Sequence, residues 1–437
     1  MYNEMVGLIV ILSVFTLLFL RIPIVISMAI PACIGILYLR GWETLSTVIN
    51  SIIWTQSFNY TLSTIPLFVL MGQLLYAAGI SSDLFKTFRN WFGRFKGGLG
   101  LATIGSSAMF GASSGSSLAT TGTMGVIATK EMLRGGYSKS LTGGSIVAGG
   151  ALGILIPPST TFIIYGMITE TSIGRLLLAG IIPGLLLTLF FMLTIYISVL
   201  VKPGLISKPQ DMESNVSWKE KFISLKSNVP IILLFIIVVG GIYIGFLTVI
   251  EAAAVGAFGA FLIGIGSRKL NKKNFAEAVL GTIKTTGFLF AVILGAFVLN
   301  YVLTITRLPS SLADFLFSSA LSPLMIFLLI VCMYIVLGAV MDTVAMLVVT
   351  IPIVLPVVEM MGYDLVWFGV IVVLLIEMAL ITPPIGMNCF VLKGVTDELS
   401  LVDIFKGAFL FVIPILLLIT LIYIFPNIAL FLPDTAF

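Results

Sequence analysis

Long apolar runs separated by short polar segments dominate the chain. Many of them exceed the roughly 20 residues that a helix needs to cross about 30 Å of hydrocarbon, for example 176–201, 227–250 and 407–433. Two other runs, 97–130 and 321–358, have small residues at their centres. The pattern therefore predicts an all-α polytopic membrane protein.

The same order of features occurs twice, 226 positions apart. A hydrophobic segment with a small-residue centre precedes Gly136-Tyr137, and a hydrophobic segment broken by Pro157-Pro158 follows. The second copy has Gly362-Tyr363 and then Pro383-Pro384. A duplicated plan with broken helices is typical of secondary transporters built from two related halves.

Composition and missing motifs exclude other classes. Hydrophobic residues make up 59% of the chain and charged residues 10%, which places the chain in lipid. The sequence contains no histidine, no CxxC pair and no P-loop motif. We therefore expect no enzymatic activity and no transition-metal site, and the scattered basic residues argue against nucleic-acid binding.

Basic residues predict the topology of the first repeat, 1–201. They flank the run 97–130 on both sides, so both ends are predicted to be cytoplasmic and the run to be a re-entrant helical hairpin. A broken helix at 140–170 then crosses outward. A cytoplasmic linker at 202–228 precedes the second repeat.

The second repeat, 229–437, is predicted to have a hairpin at 321–358 and a broken helix at 366–395. Acidic residues flank this hairpin, which fits the outer face. Each repeat has an odd number of predicted crossings, so the two repeats are predicted to be inverted. The amino terminus is then periplasmic, and the first apolar run, which has no signal-peptide pattern, is expected to remain as a helix.

The breaks suggest where cations bind. Proline has no N–H group, so a Pro-Pro break leaves backbone carbonyls free, and small residues let the hairpin tips approach the breaks. Hydroxyl and carbonyl oxygens suit Na⁺. Two related sodium pockets are predicted, with close helix packing and simple kinks as the structural alternatives.

Ionisable residues within apolar segments keep a second mechanism open. Proton coupling would use Asp342, Glu251 or Glu377, and for each of the two glutamates a position near a helix end that reaches water is the alternative. Asp342 is predicted to bind a cation, orient a donor or pair with Arg307. Arg307 is predicted to hold a substrate carboxylate or to anchor the membrane interface. A channel, a structural subunit and an intramembrane hydrolase are weaker alternatives.

Four motifs carry a family resemblance. They are PLFVLMG at 66–72, FGASSGSS at 110–117, GILIPPS at 153–159 and TPPIGMN at 382–388. In this order they resemble the large membrane subunit of tripartite ATP-independent periplasmic (TRAP) transporters of the DctM/SiaM type. The resemblance implies an elevator-type fold similar to the ion-transporter superfamily, in the bacterial cytoplasmic (inner) membrane.

The resemblance also implies a function and partners. It implies Na⁺-coupled uptake of an organic acid, sialic acid or a C4-dicarboxylate, of which we favour sialic acid. The implied partners are a soluble extracytoplasmic substrate-binding protein and a small four-helix membrane subunit, which is expected not to be fused to this chain.

The resemblance assigns site residues by position. One sodium site is expected at Ser113, Ser114, Ser116, Gly153, Ile156 and Pro158. The other is expected at Gly338, Ala379, Thr382 and Ile385. The predicted substrate-binding residues are Asp342, Arg307, Ser117 and Asn388. Ala379 departs from the glycine that the family often has, which affects close backbone approach there.

Overall fold

The computed structural model describes residues 2–207, 216–319, 321–338, 341–384 and 386–436. These residues are almost entirely helical, and a single β-bridge joins Tyr137 to Ile206. The predicted all-α class is confirmed. Within the described ranges, eight helical segments are long and apolar enough to cross a membrane.

Ten α-helices form the first half of the chain. They are α1 (Tyr2–Phe19), α2 (Ile24–Ser57), α3 (Thr64–Ala77), α4 (Ile80–Phe92), α5 (Gly98–Ser114), α6 (Ser117–Arg134), α7 (Lys139–Ala151), α8 (Thr160–Ile168), α9 (Ile173–Ala179) and α10 (Ile181–Val201).

Ten more α-helices form the second half in the described residues. They are α11 (Trp218–Tyr243), α12 (Val249–Gly266), α13 (Lys272–Thr306), α14 (Leu308–Ser318), α15 (Pro323–Gly338), α16 (Thr343–Met360), α17 (Leu365–Ile381), α18 (Met387–Val395), α19 (Leu401–Ile424) and α20 (Asn427–Ala436).

Helix bounds recur at the spacing of the sequence motifs. Helices α6 and α16 begin 226 positions apart and also end 226 positions apart, and α7 and α17 begin at the same spacing. Short α4 and α14 occupy matching places before the hairpin segments. The opposite orientation of the two halves stays a prediction.

Both central runs fold as helix pairs. The segment predicted as the first hairpin forms α5 and α6, hairpin 1, joined at Gly115, whose φ of 60° is in the left-handed region that favours glycine. The second forms α15 and α16, hairpin 2. Both Pro-Pro segments interrupt helices, separating α7 from α8 (broken helix 1) and α17 from α18 (broken helix 2).

The predicted linker is too long at its end. The sequence predicts a linker that extends to residue 228, but α11 begins at Trp218. Ser217 and Glu220 form a capping box at this point. The Glu220 carboxylate accepts a bond from the Ser217 amide, and the Ser217 hydroxyl accepts one from the Lys219 amide. The polar residues that begin this helix therefore lie inside a segment that composition alone predicts to be a linker.

Helices from the two halves mix in the core. One group includes α2 packed on α13 and α3 packed on α12, and another includes α7 packed on α19 and α8 on α16. Helix α17 is the most enclosed element, since every residue from Val366 to Ile381 is buried. A helix that is apolar on all sides is expected at such a central place.

Candidate functional site

Hairpin 1 reaches broken helix 1 through backbone contacts. A β-carbon at Gly115 would lie 2.7 Å from the carbonyl oxygen of Pro158, and one at Gly153 would lie 2.8 Å from the Ser116 oxygen. The Thr160 hydroxyl donates a hydrogen bond to the Gly115 oxygen at 3.2 Å. Glycines at these two positions therefore allow the tip to touch the break directly.

The serines of this tip bond mainly within the tip. The Ser113 hydroxyl donates to a carbonyl one turn earlier at 2.7 Å, and the Ser114 hydroxyl lies 3.0 Å from that of Thr120. Ser116 caps α6 by accepting a bond from the amide three residues later at 3.3 Å. Sequence reasoning missed Thr120, whose position four residues after Ser116 puts its hydroxyl 2.8 Å from the Ser116 oxygen.

The first break leaves the helical path after Ile154. The Ser159 hydroxyl donates to the Ile154 oxygen at 2.5 Å and then caps α8. Ile156 is buried against Gly184, and the Pro157-Pro158 bond is cis, as is Pro383-Pro384. Gly153 and Pro158 thus lie beside the tip, whereas the described contact of Ile156 is with α10.

Hairpin 2 lies against broken helix 2 just before the second break. A β-carbon at Gly338 would lie 1.9 Å from that of Ala379. The Thr382 hydroxyl donates to the carbonyl of Met378. In the second predicted sodium site, Gly338 and Ala379 are therefore adjacent, and Thr382 follows Ala379 by about one turn. The fourth residue, Ile385, lies outside the described residues.

Asp342 is the N-cap of α16. Its carboxylate accepts a hydrogen bond from the amide of Ala345 at 2.7 Å, the role that Ser116 has in hairpin 1. Arg307 lies exposed at the junction of α13 and α14 with a φ of 56°. The ion pairs of the described residues do not include Asp342 with Arg307.

Ser117 and Asn388 meet across the two halves of the chain. The Asn388 amide nitrogen donates to the Ser117 hydroxyl at 2.7 Å, and this hydroxyl lies 3.5 Å from a carboxylate oxygen of Glu377. All three residues are buried. Of the four predicted substrate residues, these two are in contact, and no described contact joins them to Asp342 or Arg307.

The predictions for the two glutamates had different outcomes. The alternative in which Glu377 reaches water is wrong, because α17 is enclosed by helices of both halves and the residue is 0% exposed. Glu251 does lie at an exposed helix end, where it accepts a bond from the Thr248 amide at 2.8 Å as part of a capping box. This local role accounts for Glu251 without proton transfer.

Gly72 was also missed as a site residue. A β-carbon there would lie 2.9 Å from the Ser113 oxygen and 3.0 Å from the Ser114 α-carbon. Helix α3 therefore touches the tip of hairpin 1 where the predicted sodium ligands are. The signal was present in the sequence, because Gly72 ends the motif at 66–72.

Two small-residue hairpin tips packed on two interrupted helices, within a bundle of apolar helices, define a polytopic membrane transporter. Comparison with known sequences gives the family, since the profile of the tripartite ATP-independent periplasmic transporter, DctM component, matches residues 11–428. The chain belongs to this family, which confirms the resemblance. The relatives that match this chain are transporter permease subunits and not enzymes.

Individual relatives agree with the profile. The chain is 34% identical to the sialic acid TRAP transporter large permease protein SiaM of Vibrio cholerae, over 86% of this chain and 87% of the relative. It is 35% identical to the C4-dicarboxylate TRAP transporter large permease protein DctM of Pseudomonas aeruginosa, over 87% of this chain and 88% of the relative. Among solved structures, the YdaH transporter of Alcanivorax borkumensis has a TM-score of 0.62 at 13% identity, covering 91% of this chain and 89% of that chain. This structural likeness concerns the fold alone.

Proposed function

We propose that this TRAP large permease takes up an organic acid anion in symport with Na⁺. The observation that carries the proposal is the contact between Gly115 of hairpin 1 and Pro158 of broken helix 1. It brings backbone carbonyls of a helix end and of a helix break together, and oxygens of this kind are suited to an alkali cation.

Energetics supports the use of more than one Na⁺. Moving a monovalent anion into a cell that is negative inside costs about 2.3 kcal/mol per 100 mV, and each Na⁺ that accompanies it contributes a similar amount. One Na⁺ therefore only offsets the electrical cost. Two sites, one at each tip and break, make accumulation favourable.

The substrate proposed first is sialic acid, with C4-dicarboxylates as the second class. The relatives that transport these acids are 34% and 35% identical to this chain. Their similarity supports an organic acid and leaves the choice to a transport assay. Both acids carry carboxylates, so substrate capture by a polar group beside the tips fits either class.

We propose that the chain works with a small membrane subunit and a soluble extracytoplasmic binding protein, in the inner membrane with its amino terminus outside. The experiment is uptake into liposomes that contain the chain and the small subunit, with the binding protein added outside. At fixed pH, external Na⁺ should drive accumulation of one of the two acids, and omission of either partner should abolish it. Continued accumulation with choline in place of Na⁺ would reject sodium coupling and favour the proton-coupled alternative.

An elevator movement is also proposed, in which the two hairpins and the two broken helices slide against the group of helices that contains α2, α3, α12 and α13. Met71 of α3 and Ala112 of hairpin 1 line one cavity between the two helix groups, so a cross-link between them should stop sliding. In a background in which Cys33, Cys332 and Cys389 are replaced, a short bifunctional maleimide on Met71→Cys with Ala112→Cys should block uptake. Each single cysteine variant is the control, and unchanged uptake by the cross-linked protein would reject the movement.

A further inference from the structure

We infer that Glu377, Ser117 and Asn388 form an additional sodium site that joins the two halves of the chain. This inference rests on the proposed sodium coupling. It concerns side-chain oxygens, whereas the two sites predicted from the sequence consist largely of backbone carbonyls beside the breaks.

Two buried oxygens at this place have no hydrogen-bond partner. One is Oε1 of Glu377 and the other is Oδ1 of Asn388, and each has less than 1 Å² of exposed surface. Both residues are 0% exposed and Ser117 is 2% exposed. Unpaired buried acceptors are costly, so a ligand that accepts an electron pair from either oxygen is favoured here.

The Ser117 hydroxyl holds the two acceptors in one cluster. It accepts a bond from the Asn388 amide at 2.7 Å and lies 3.5 Å from the second carboxylate oxygen of Glu377. The Asn388 nitrogen is committed to Ser117, which leaves its oxygen as the free end of the amide. The cluster thus offers carboxylate, amide and hydroxyl oxygens on three side chains that surround one buried hydroxyl.

If Glu377 is ionised, its charge calls for a cation. No lysine or arginine contacts it within the part of the chain that the structure describes. An ionised carboxylate without a partner is expensive in a low-dielectric interior. A monovalent cation would leave the site neutral, whereas a divalent ion would leave it positive.

The donor atoms favour Na⁺ over other metals. Oxygen donors suit alkali and alkaline-earth cations, and transition metals prefer imidazole or thiolate. The described residues contain no group of three or more His, Cys, Asp or Glu side chains able to hold a metal ion together. Ca²⁺ takes six to eight oxygen ligands, commonly from several carboxylates, and this cluster has one.

The position of the cluster gives the ion a role. Ser117 is the first residue of α6, directly after the tip of hairpin 1, and Asn388 is the second residue of α18, directly after the second break. An ion at Glu377 would therefore hold the tip of one half to the break of the other. Its release would loosen both predicted sodium sites together.

The test is the number of Na⁺ ions bound by the purified chain. Radioactive Na⁺ binding at equilibrium, in detergent with choline as the balancing cation, should show one ion fewer per chain for Glu377→Gln than for wild type. Glu131→Gln is the matched control, because Glu131 lies in the last turn of α6, the helix that begins at Ser117, but pairs with Arg89. It should bind as wild type.

Two conservative variants keep the test valid if Glu377→Gln does not fold. Glu377→Asp should retain the number of bound ions. Ser117→Ala should weaken the binding of one ion by about tenfold or more, as the loss of a metal-site partner usually does. Both should give a single peak in size-exclusion chromatography.

The outcomes separate this inference from the proposed function. If wild type binds no Na⁺, the proposed sodium coupling fails and the inference fails with it. If wild type binds Na⁺ and both Glu377→Gln and Ser117→Ala bind the same number with the same affinity, only the additional site is rejected.

Discussion

Gly338 and Ala379 share one place between hairpin 2 and α17, where there is room for a single methyl group. The methyl group belongs to Ala379, and the missing side chain at Gly338 compensates for it. The departure from glycine at 379 therefore does not prevent close approach, because the glycine is on the facing helix.

The first prediction exchanges these two residues. Gly338→Ala should displace hairpin 2 and reduce Na⁺-driven uptake, with an overpacking cost of about 1–3 kcal/mol. Adding Ala379→Gly should restore both uptake and the unfolding temperature, because the total volume returns to that of the wild type. Wild-type behaviour of the single variant, or failure of the second change to rescue it, would contradict the shared-place interpretation.

The second prediction separates two roles of Asp342. Asparagine also serves as an N-cap, so Asp342→Asn should leave the stability of α16 nearly unchanged, whereas Asp342→Ala should cost about 0.5–2 kcal/mol. If the carboxylate acts in transport, both variants should lose uptake. The measurement pairs thermal unfolding with uptake, and wild-type uptake by the asparagine variant would show that the residue only caps the helix.

The third prediction concerns the first predicted sodium site. Ser114→Ala combined with Ser116→Ala removes the hydroxyl that faces Thr120 and the cap of α6, so uptake should fall and the Na⁺ concentration for half-maximal uptake should rise. Expression should remain intact, since one lost cap costs about 1 kcal/mol. The matched control is Ser318→Ala with Ser319→Ala at the exposed end of α14. Equal uptake by the two double variants would reject the site.

The fourth prediction is a pH dependence of stability. Tyr137 lies in the turn between hairpin 1 and broken helix 1, where burial raises the pKa of its phenol to about 12 from the usual 10.0. The folded chain then retains this proton at a pH where the unfolded chain loses it, so stability should fall as pH rises above 10. Below pH 10 the residue should have no effect on the pH profile.

Tyr137→Phe is the test of that effect. Phenylalanine keeps the buried ring but loses the oxygen that accepts a hydrogen bond from the Leu99 amide at 3.1 Å. Unfolding temperatures of the two proteins should therefore decline differently only in the alkaline range, with the smaller decline for phenylalanine. Parallel curves across that range would show that the phenol is not protected from ionisation.

Local signals in the sequence predicted the main features of the fold. Gly115 requires a left-handed backbone at the tip, and proline pairs remove helix hydrogen bonds wherever they occur. These effects act within a few residues, and the helices of the structure are interrupted at Gly115 and at both proline pairs. The start of α11 was misplaced because the capping box at Ser217 was read as linker.

The cluster of Ser117, Glu377 and Asn388 could not be predicted in the same way. Glu377 and Asn388 follow Ser117 by 260 and 271 residues, and their contact with Ser117 depends on how the two halves pack. The burial of Glu377 did have a signal, since α17 has no polar face apart from this residue. Distance from a helix end was the wrong guide, because enclosure by neighbouring helices decides exposure.

The close approach of Gly144 in α7 to Gly407 in α19 has a consequence for folding. A β-carbon at Gly144 would lie 2.4 Å from the Gly407 backbone, so main chains from opposite halves touch without side chains between them. Neither half then possesses a finished interior of its own. A polypeptide severed between residues 207 and 216 should yield fragments that are each proteolysed when made alone and that assemble into a working carrier when made together.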